Sequence, residues 1–411
     1  MQQCQVETEG PVGTAVERVG AVRLTTVGMA LIAVCYGLAR FAYGLFVPSL
    51  RAEFNLDATS VGAIASGSYI GYCVAVVLAT VATTRWGART VGVAAGATAA
   101  VGTGLVALAP STPVLVVGVV LAGSSTGLAS PPMAQAVATH LSPARQSRSQ
   151  SVVNAGTGFG VLVSGPVALL AAGGQWRLAW AAFSLAAVAV TVWLARTVPS
   201  GGPAAATTGR VALAEVLPPG SGRLLLAAAV TGIGSAAVWT YGRELVSAAG
   251  LGDVTASVLW IVLGAAGLLG AFAGDLTTRL GPARSWSAAM LLLAAATVAL
   301  ALAPGQVVVA VLAFAVFGAV YIALSGFLLL WGTRVNPDRP ALGVGAGFLL
   351  LALGQAVGAP LLGAVADALG TPQAFLLAAG ITVLGALVRP RTQPRTERSS
   401  AVAGGGPGDQ I

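Results

Sequence analysis

A chain of 411 residues with 56% apolar and 8% charged side chains, and a mean hydropathy of +0.87, is too poor in ionisable groups for a soluble globule, whose charged share is about 25%. The formal net charge of +8 comes from 21 arginines and no lysine. These fall singly or in pairs between apolar runs rather than on one basic face, which excludes a nucleic-acid surface. The composition is that of a bilayer protein, with room for about twelve spanning helices of ~20 residues, short loops and two tails.

Residues 1–23 read as a polar cytoplasmic tail, and the apolar run after them is too long for the core of a cleaved leader. Apolar runs follow at 24–48, 60–83, 91–109, 114–138, 150–172 and 178–196, then at 224–246, 254–274, 286–303, 306–330, 343–366 and 373–388. Lipid offers backbone groups no partner, so the runs are expected to be helices, and a barrel would show short alternating strands instead. The expected fold is an all-α membrane protein with two pseudo-symmetric six-helix bundles, 24–196 and 224–388. A Pro/Gly/Thr-rich cytoplasmic linker at 197–223 joins them, and 389–411 is a disordered basic tail.

Orientation follows from the arginines. With the N-terminus inside, 17 of the 21 fall on the cytoplasmic side. Only Arg51, Arg177 and Arg243 lie at outer ends, and Arg40 lies within a helix. Both termini are therefore expected in the cytoplasm of a cell bounded by this membrane, with the net charge facing an anionic inner leaflet.

The halves repeat. Thr84-Arg85-Trp86-Gly87 recurs as Thr278-Arg279-Leu280-Gly281, Ser142-Pro143-Ala144-Arg145 as Asn336-Pro337-Asp338-Arg339, and Gly165-Pro166 as Ala359-Pro360, each at an offset of 194. Three matches at one offset point to two equivalent units in parallel orientation.

Two six-helix halves, a linker and an Arg-Gly loop between the second and third helices of each half resemble the major facilitator superfamily. Its loop signature is approximately Gly-x-x-x-Asp-Arg-x-Gly-Arg-Arg. This chain keeps Arg85, Gly87 and Arg89, with Thr84 at the acidic position and Ala88 for one arginine. The second copy keeps Gly274, Arg279 and Gly281, with Asp275 one turn earlier. The resemblance implies that these loops gate the conformational change, and the departures weaken the usual charge lock between halves. The run Gly37-Leu38-Ala39-Arg40-Phe41-Ala42-Tyr43-Gly44, followed by Val47-Pro48-Ser49-Leu50-Arg51 and Tyr69-Ile70-Gly71-Tyr72, is similar to the YbfB/YjiJ-type branch.

Arg40 is the foremost candidate for chemistry. It lies ~5 Å from the middle of the first run, where a guanidinium costs at least ~2.5–3.5 kcal/mol, so it must face the interior, a partner or water. It reads either as an anchor for an anionic substrate, or counter-charge to a carboxylate, or as a structural pair. At α-helical spacing Tyr36 and Tyr43 share its face, and Tyr69 and Tyr72 can meet it from the second helix. Their hydroxyls and apolar rings suit an amphipathic organic ligand, or ordinary packing.

Trp239, Tyr241, Arg243 and Glu244 end the seventh helix. Glu244 is the candidate proton carrier, although ~12 Å from that helix's centre a Glu-Arg neighbour pair is more often an interfacial anchor. Asp275 and Asp367 read as loop or cap residues. Gln135, Asn154 and Gln355 either bind substrate or bond between helices. Gly156-Thr157-Gly158-Phe159-Gly160, with a helix bend at Gly165-Pro166 and its mate at Pro360, is similar to the fifth-helix motif of superfamily antiporters and also suits close helix packing. Cys4, Cys35 and Cys73 lack metal-ligand spacing, and His140, the sole histidine, is placed in a cytoplasmic loop, so neither a metal site nor a catalytic triad is expected. There is no Walker sequence.

The expected function is secondary active transport of a small organic molecule by alternating access, with proton-coupled export through the cell inner membrane as the leading form. Uptake of a small anion with Arg40 as counter-charge is the alternative. No enzyme activity, cofactor or nucleic-acid partner is expected; the partners are substrate, protons and lipid, and the protein is expected to be a monomer. A sensor would need an output domain, and an intramembrane enzyme a nucleophile or metal cluster, neither of which the spacing supplies.

Overall fold

The computed structural model of the protein describes residues 11–170, 175–199, 218–270, 280–337 and 340–390. Helix α1 (Pro11–Ile32) runs into a π-helical stretch (Ala33–Phe41) and on into α2 (Ala42–Phe54), and together they make the first span. Helix α3 (Ala58–Leu108) has 51 residues, about 77 Å of helix against a ~30 Å hydrocarbon core, and therefore crosses twice. The remaining spans are α4 (Thr112–His140), α5 (Pro143–Leu170), α6 (Trp176–Thr197), α7 (Ser221–Ala248), α8 (Asp253–Gly270), α9 (Pro282–Leu302), α10 (Val307–Val335), α11 (Pro340–Leu369) and α12 (Thr371–Gly385). Among the described residues there are thus twelve crossings and no strand.

Residues Pro11–Arg23, within the expected polar tail, are helical and continuous with the first span. His140 is the last residue of α4 rather than a loop residue, its Nδ1 lying 3.0 Å from the Ala136 carbonyl. The linker core, 200–217, and the tail from 391 lie outside the described residues.

Local chemistry sets the ends. Asn55 in the left-handed conformation (φ 51°, ψ 48°) stops α2. Asp57 then caps α3 by accepting from the Ser60 amide at 2.7 Å, and Ser60's groups hold its carboxyl below the usual carboxylate range. Within α3 the bend is at Gly87 (φ 79°, ψ 163°). Gly281, 194 residues on, has φ 77° and ψ 156° as it opens α9. Both sit where only glycine is comfortable, and the repeat read in the sequence is therefore a repeat of backbone conformation.

The halves pack through equivalent pairs. The first crossing of α3 lies against α11, and α5 lies against α8. Small residues bring these pairs to backbone contact: a Cβ on Gly62 would strike the Ala359 carbonyl, and one on Gly264 would strike Leu162. Outward faces carry Val77, Leu185, Leu302 and Val308, all exposed, the apolar belt expected against lipid.

Candidate functional site

The first span, α7, α10, α11 and the first crossing of α3 converge on Arg40. Its side chain is only 6% exposed. The guanidinium carbon lies 4.8 Å and 4.7 Å from the ring centres of Tyr69 and Tyr72 and 5.3 Å from that of Phe41, within cation–π reach. Nη2 donates to Oε1 of Gln355 at 3.0 Å, and Nε2 of Gln355 donates to the Tyr321 hydroxyl at 3.2 Å.

Tyr321 in turn meets Trp239 edge to face (5.2 Å between centroids), and Trp239 stacks on Phe41 at 4.1 Å. These contacts close a ring, Arg40–Gln355–Tyr321–Trp239–Phe41, that spans both halves at mid-depth. Phe317 and Trp260 pack behind Trp239. Nε of Arg40 and the indole nitrogens of Trp239 and Trp260 are buried without a hydrogen-bond partner.

The π-helical winding, with its i→i+5 bonds, puts more residues into each turn than an α-helix does and brings Phe41 into line with Tyr36, five residues before it. The Tyr43 hydroxyl donates to the Val61 carbonyl at 3.0 Å. Tyr36, half-buried, meets Phe41 and shares a hydrogen bond with Ser130 on α4 (2.9 Å). Gln135 is half-buried toward the His140 end of α4, and Asn154 is exposed and accepts from Gln150 at 3.3 Å; both stand apart from the ring. Sequence reasoning missed Phe41, Tyr321, Phe317 and Trp260, which look like ordinary aromatics in apolar runs.

A second cluster lies at the end of the bundle formed by the α2–α3 turn. Arg51 pairs with Glu244 across the halves and donates to the Leu56 carbonyl at 2.9 Å. Neighbouring Arg243 does not pair with Glu244. It donates to the Leu45 carbonyl and to Asp253 (3.1 Å). The Tyr241 hydroxyl lies 2.9 Å from the Ala58 carbonyl and 2.8 Å from that of Ala359. Asp367 accepts from the Ala58 and Thr59 amides (2.9 and 2.7 Å) and from the Thr59 hydroxyl (2.6 Å). It caps not its own helix but the N-terminus of α3 in the other half. Arg177, also at this end, pairs with Glu53 at 3.0 Å.

Because Glu244 and Arg51 are largely screened from water, with side chains 17% and 30% exposed, their pair is worth about 1 kcal/mol. Glu244→Gln should therefore raise labelling of an Ala359→Cys probe by an impermeant maleimide about fivefold, in a Cys4→Ser background with buried Cys35 and Cys73 left in place. Unchanged labelling would show that the pair does not hold this end shut.

Of the candidate gating residues, Arg85 is exposed, Arg89 half-buried and Gly87 buried at the bend, while Asp275 and Arg279 lie outside the described residues. Pro166 and Pro360 lie inside α5 and α11. A Cβ on Gly165 would meet Ile261 of α8. No cluster of three or more His, Cys, Asp or Glu suited to a metal occurs among the described residues.

A family model described as "Uncharacterised MFS-type transporter YbfB" matches residues 32–389. No curated protein matches the chain. Among solved structures, a D-xylose-proton symporter aligns with TM-score 0.72 at 17% identity over 90% of this chain and 96% of that one. A bacterial homologue of the human lysosomal transporter Spinster, inward-facing and occupied, gives 0.71 at 15% over 92% and 96%. The nucleoside transporter NupG, as a D323A mutant, gives 0.71 at 13% over 89% and 98%. At such identities the likeness shows the fold. With the family match spanning most of the chain and twelve crossings in two equivalent halves, the protein belongs to the YbfB-type transporters of the major facilitator superfamily and is a multi-pass membrane transporter rather than an enzyme.

Proposed function

We propose that the protein is a secondary active transporter that moves a small organic molecule past the Arg40 ring by alternating access, coupled to protons and directed out of the cell. The observation that carries the reading is the ring itself, a buried cation and an amide joined across the two halves at mid-depth. A ligand that bonds to both would bias how the halves sit. In this reading the α2–α3 end faces outward, both termini and the 197–223 linker are cytoplasmic, and the Arg51–Glu244 and Asp367–α3 ties hold the outer gate closed. Glu244 would release Arg51 on taking up a proton. Outward direction rests on the glycine-rich α5, and proton coupling has a parallel in the D-xylose-proton symporter of the same fold.

The test uses reconstituted liposomes. An imposed pH gradient should drive accumulation of the substrate, and cells lacking the gene should retain more of it. Flux indifferent to the gradient would overturn the coupling. A second reading, uptake of a small anion, is favoured by the lack of a carboxylate among the described groups that contact Arg40. Inward flux of an anion in intact cells would select it.

A further inference from the structure

We infer that the Arg40 ring is built for a small planar organic monocarboxylate, a class that deepens the proposed transport reading and rests on it. Charge is the first ground. Arg40 is a full positive charge that no acid among the described residues neutralises. The described carboxylates Glu53, Asp57, Glu244, Asp253 and Asp367 gather at the α2–α3 end, where they cap helices or pair with arginine. A buried charge without a counter-charge is costly, and a substrate carboxylate would remove that cost on binding. A cationic substrate would meet repulsion and no acid among the described residues. A dianion would leave one charge unmatched, since Arg51 and Arg243 are engaged at that same end.

Geometry is the second ground. The rings of Tyr69, Tyr72 and Phe41 crowd around the guanidinium, and the one acceptor described for it is the neutral Oε1 of Gln355. Its Nε is buried and unpartnered. An in-plane donor left open beside a weak neutral acceptor is the arrangement a carboxylate completes, by displacing the amide and accepting a forked pair of bonds. The buried indole N–H of Trp239 is a further open donor.

The body of the ligand follows from what lies beside that edge. Phe41 and Trp239 are stacked across the halves at 4.1 Å, with Tyr321 against the same indole. A flat apolar group entering here exchanges one stacking partner for another at little cost. The ring is closed on itself, with Gln355 on the guanidinium edge that a carboxylate would take and Phe41 on the indole face that a flat group would take.

The experiment is a binding series on the full chain in lipid nanodiscs, read by indole emission and by thermal stability, with benzoate, benzamide, acetate and phthalate as probes. Benzoate should half-saturate at a concentration at least tenfold below each of the others. Arg40→Gln should erase that preference, and Arg40→Lys should keep it with weaker binding. Monodisperse elution of each variant establishes that it is folded; if Arg40→Gln does not fold, the wild-type series and Arg40→Lys decide. Benzamide binding as well as benzoate, benzoate binding unaffected in Arg40→Gln, or no response to benzoate would each overturn the assignment. Flux of a neutral solute in liposomes, with no benzoate response, would sink the monocarboxylate class while leaving transport intact. Absence of flux for a bound benzoate would sink transport and leave the binding site.

Discussion

Arg40→Ala should cut transport a hundredfold or more while leaving folded protein in the membrane. Folding survives because the replacement relieves the insertion cost of a mid-bilayer guanidinium, about 2.5–3.5 kcal/mol or more. That relief offsets the lost ring contacts and the lost bond to Gln355. Transport fails because the same residue joins the first span to α11 and is the one cation among the described residues placed at the ring. Losing a buried charge-assisted contact to substrate costs about 3 kcal/mol or more, hence the factor. Arg40→Lys keeps the charge but not the flat guanidinium that packs among Tyr69, Tyr72 and Phe41, and a partial loss of about tenfold is expected. Flux per inserted molecule in liposomes decides; wild-type kinetics in Arg40→Ala would remove the residue from the substrate path.

What could be read before any coordinates follows the physics of each feature. Lipid forces backbone bonds inward, so twelve apolar runs announce twelve crossings, and a turn that needs positive φ leaves a glycine behind, which is why Gly87 and Gly281 mark the repeat. Arg40 stands out because no side chain of its kind survives mid-membrane without purpose or partner. Gln355 reads in the sequence as an amide within a helix that either binds substrate or bonds between helices, and the structure buries it and joins it to Arg40.

The rest depends on winding and on distance along the chain. Phe41 lines up with Tyr36 because Ala33–Phe41 is a π-helix, which an α-helical wheel cannot anticipate, and Tyr43 is turned to the Val61 carbonyl. Glu244 meets Arg51, 193 residues away, and Asp367 meets Thr59, 308 away. Nothing local marks either partner. Tyr321 and Trp260 carry no signal that separates a ring residue from ordinary packing.

Backbone-to-backbone approach also makes Gly160 on α5 a sensitive position for folding. A Cβ on Gly160 would run into the backbone of Ala33, where the π-helical stretch begins, and one on Gly37 would run into Gly160 itself. Gly156 makes the same approach to the Met29 carbonyl one turn away. Backbone cannot swing aside as a side chain can, so the helices would have to separate, emptying contacts on both faces. Gly160→Val should therefore cost at least about 3 kcal/mol, seen as loss of monodisperse protein after extraction.

Gly326→Ala on α10, where an added Cβ meets nothing within 4 Å, is the control. It should be neutral or gain up to about 1 kcal/mol from helix propensity. Gly160→Ala tests the link to function, since a single methyl displaces the π-helical stretch while leaving most packing in place. It should weaken ligand binding more than it lowers the melting temperature, because Arg40 rides on the segment that moves. Equal melting behaviour of Gly160→Val and Gly326→Ala would show that α5 does not set the position of the first span.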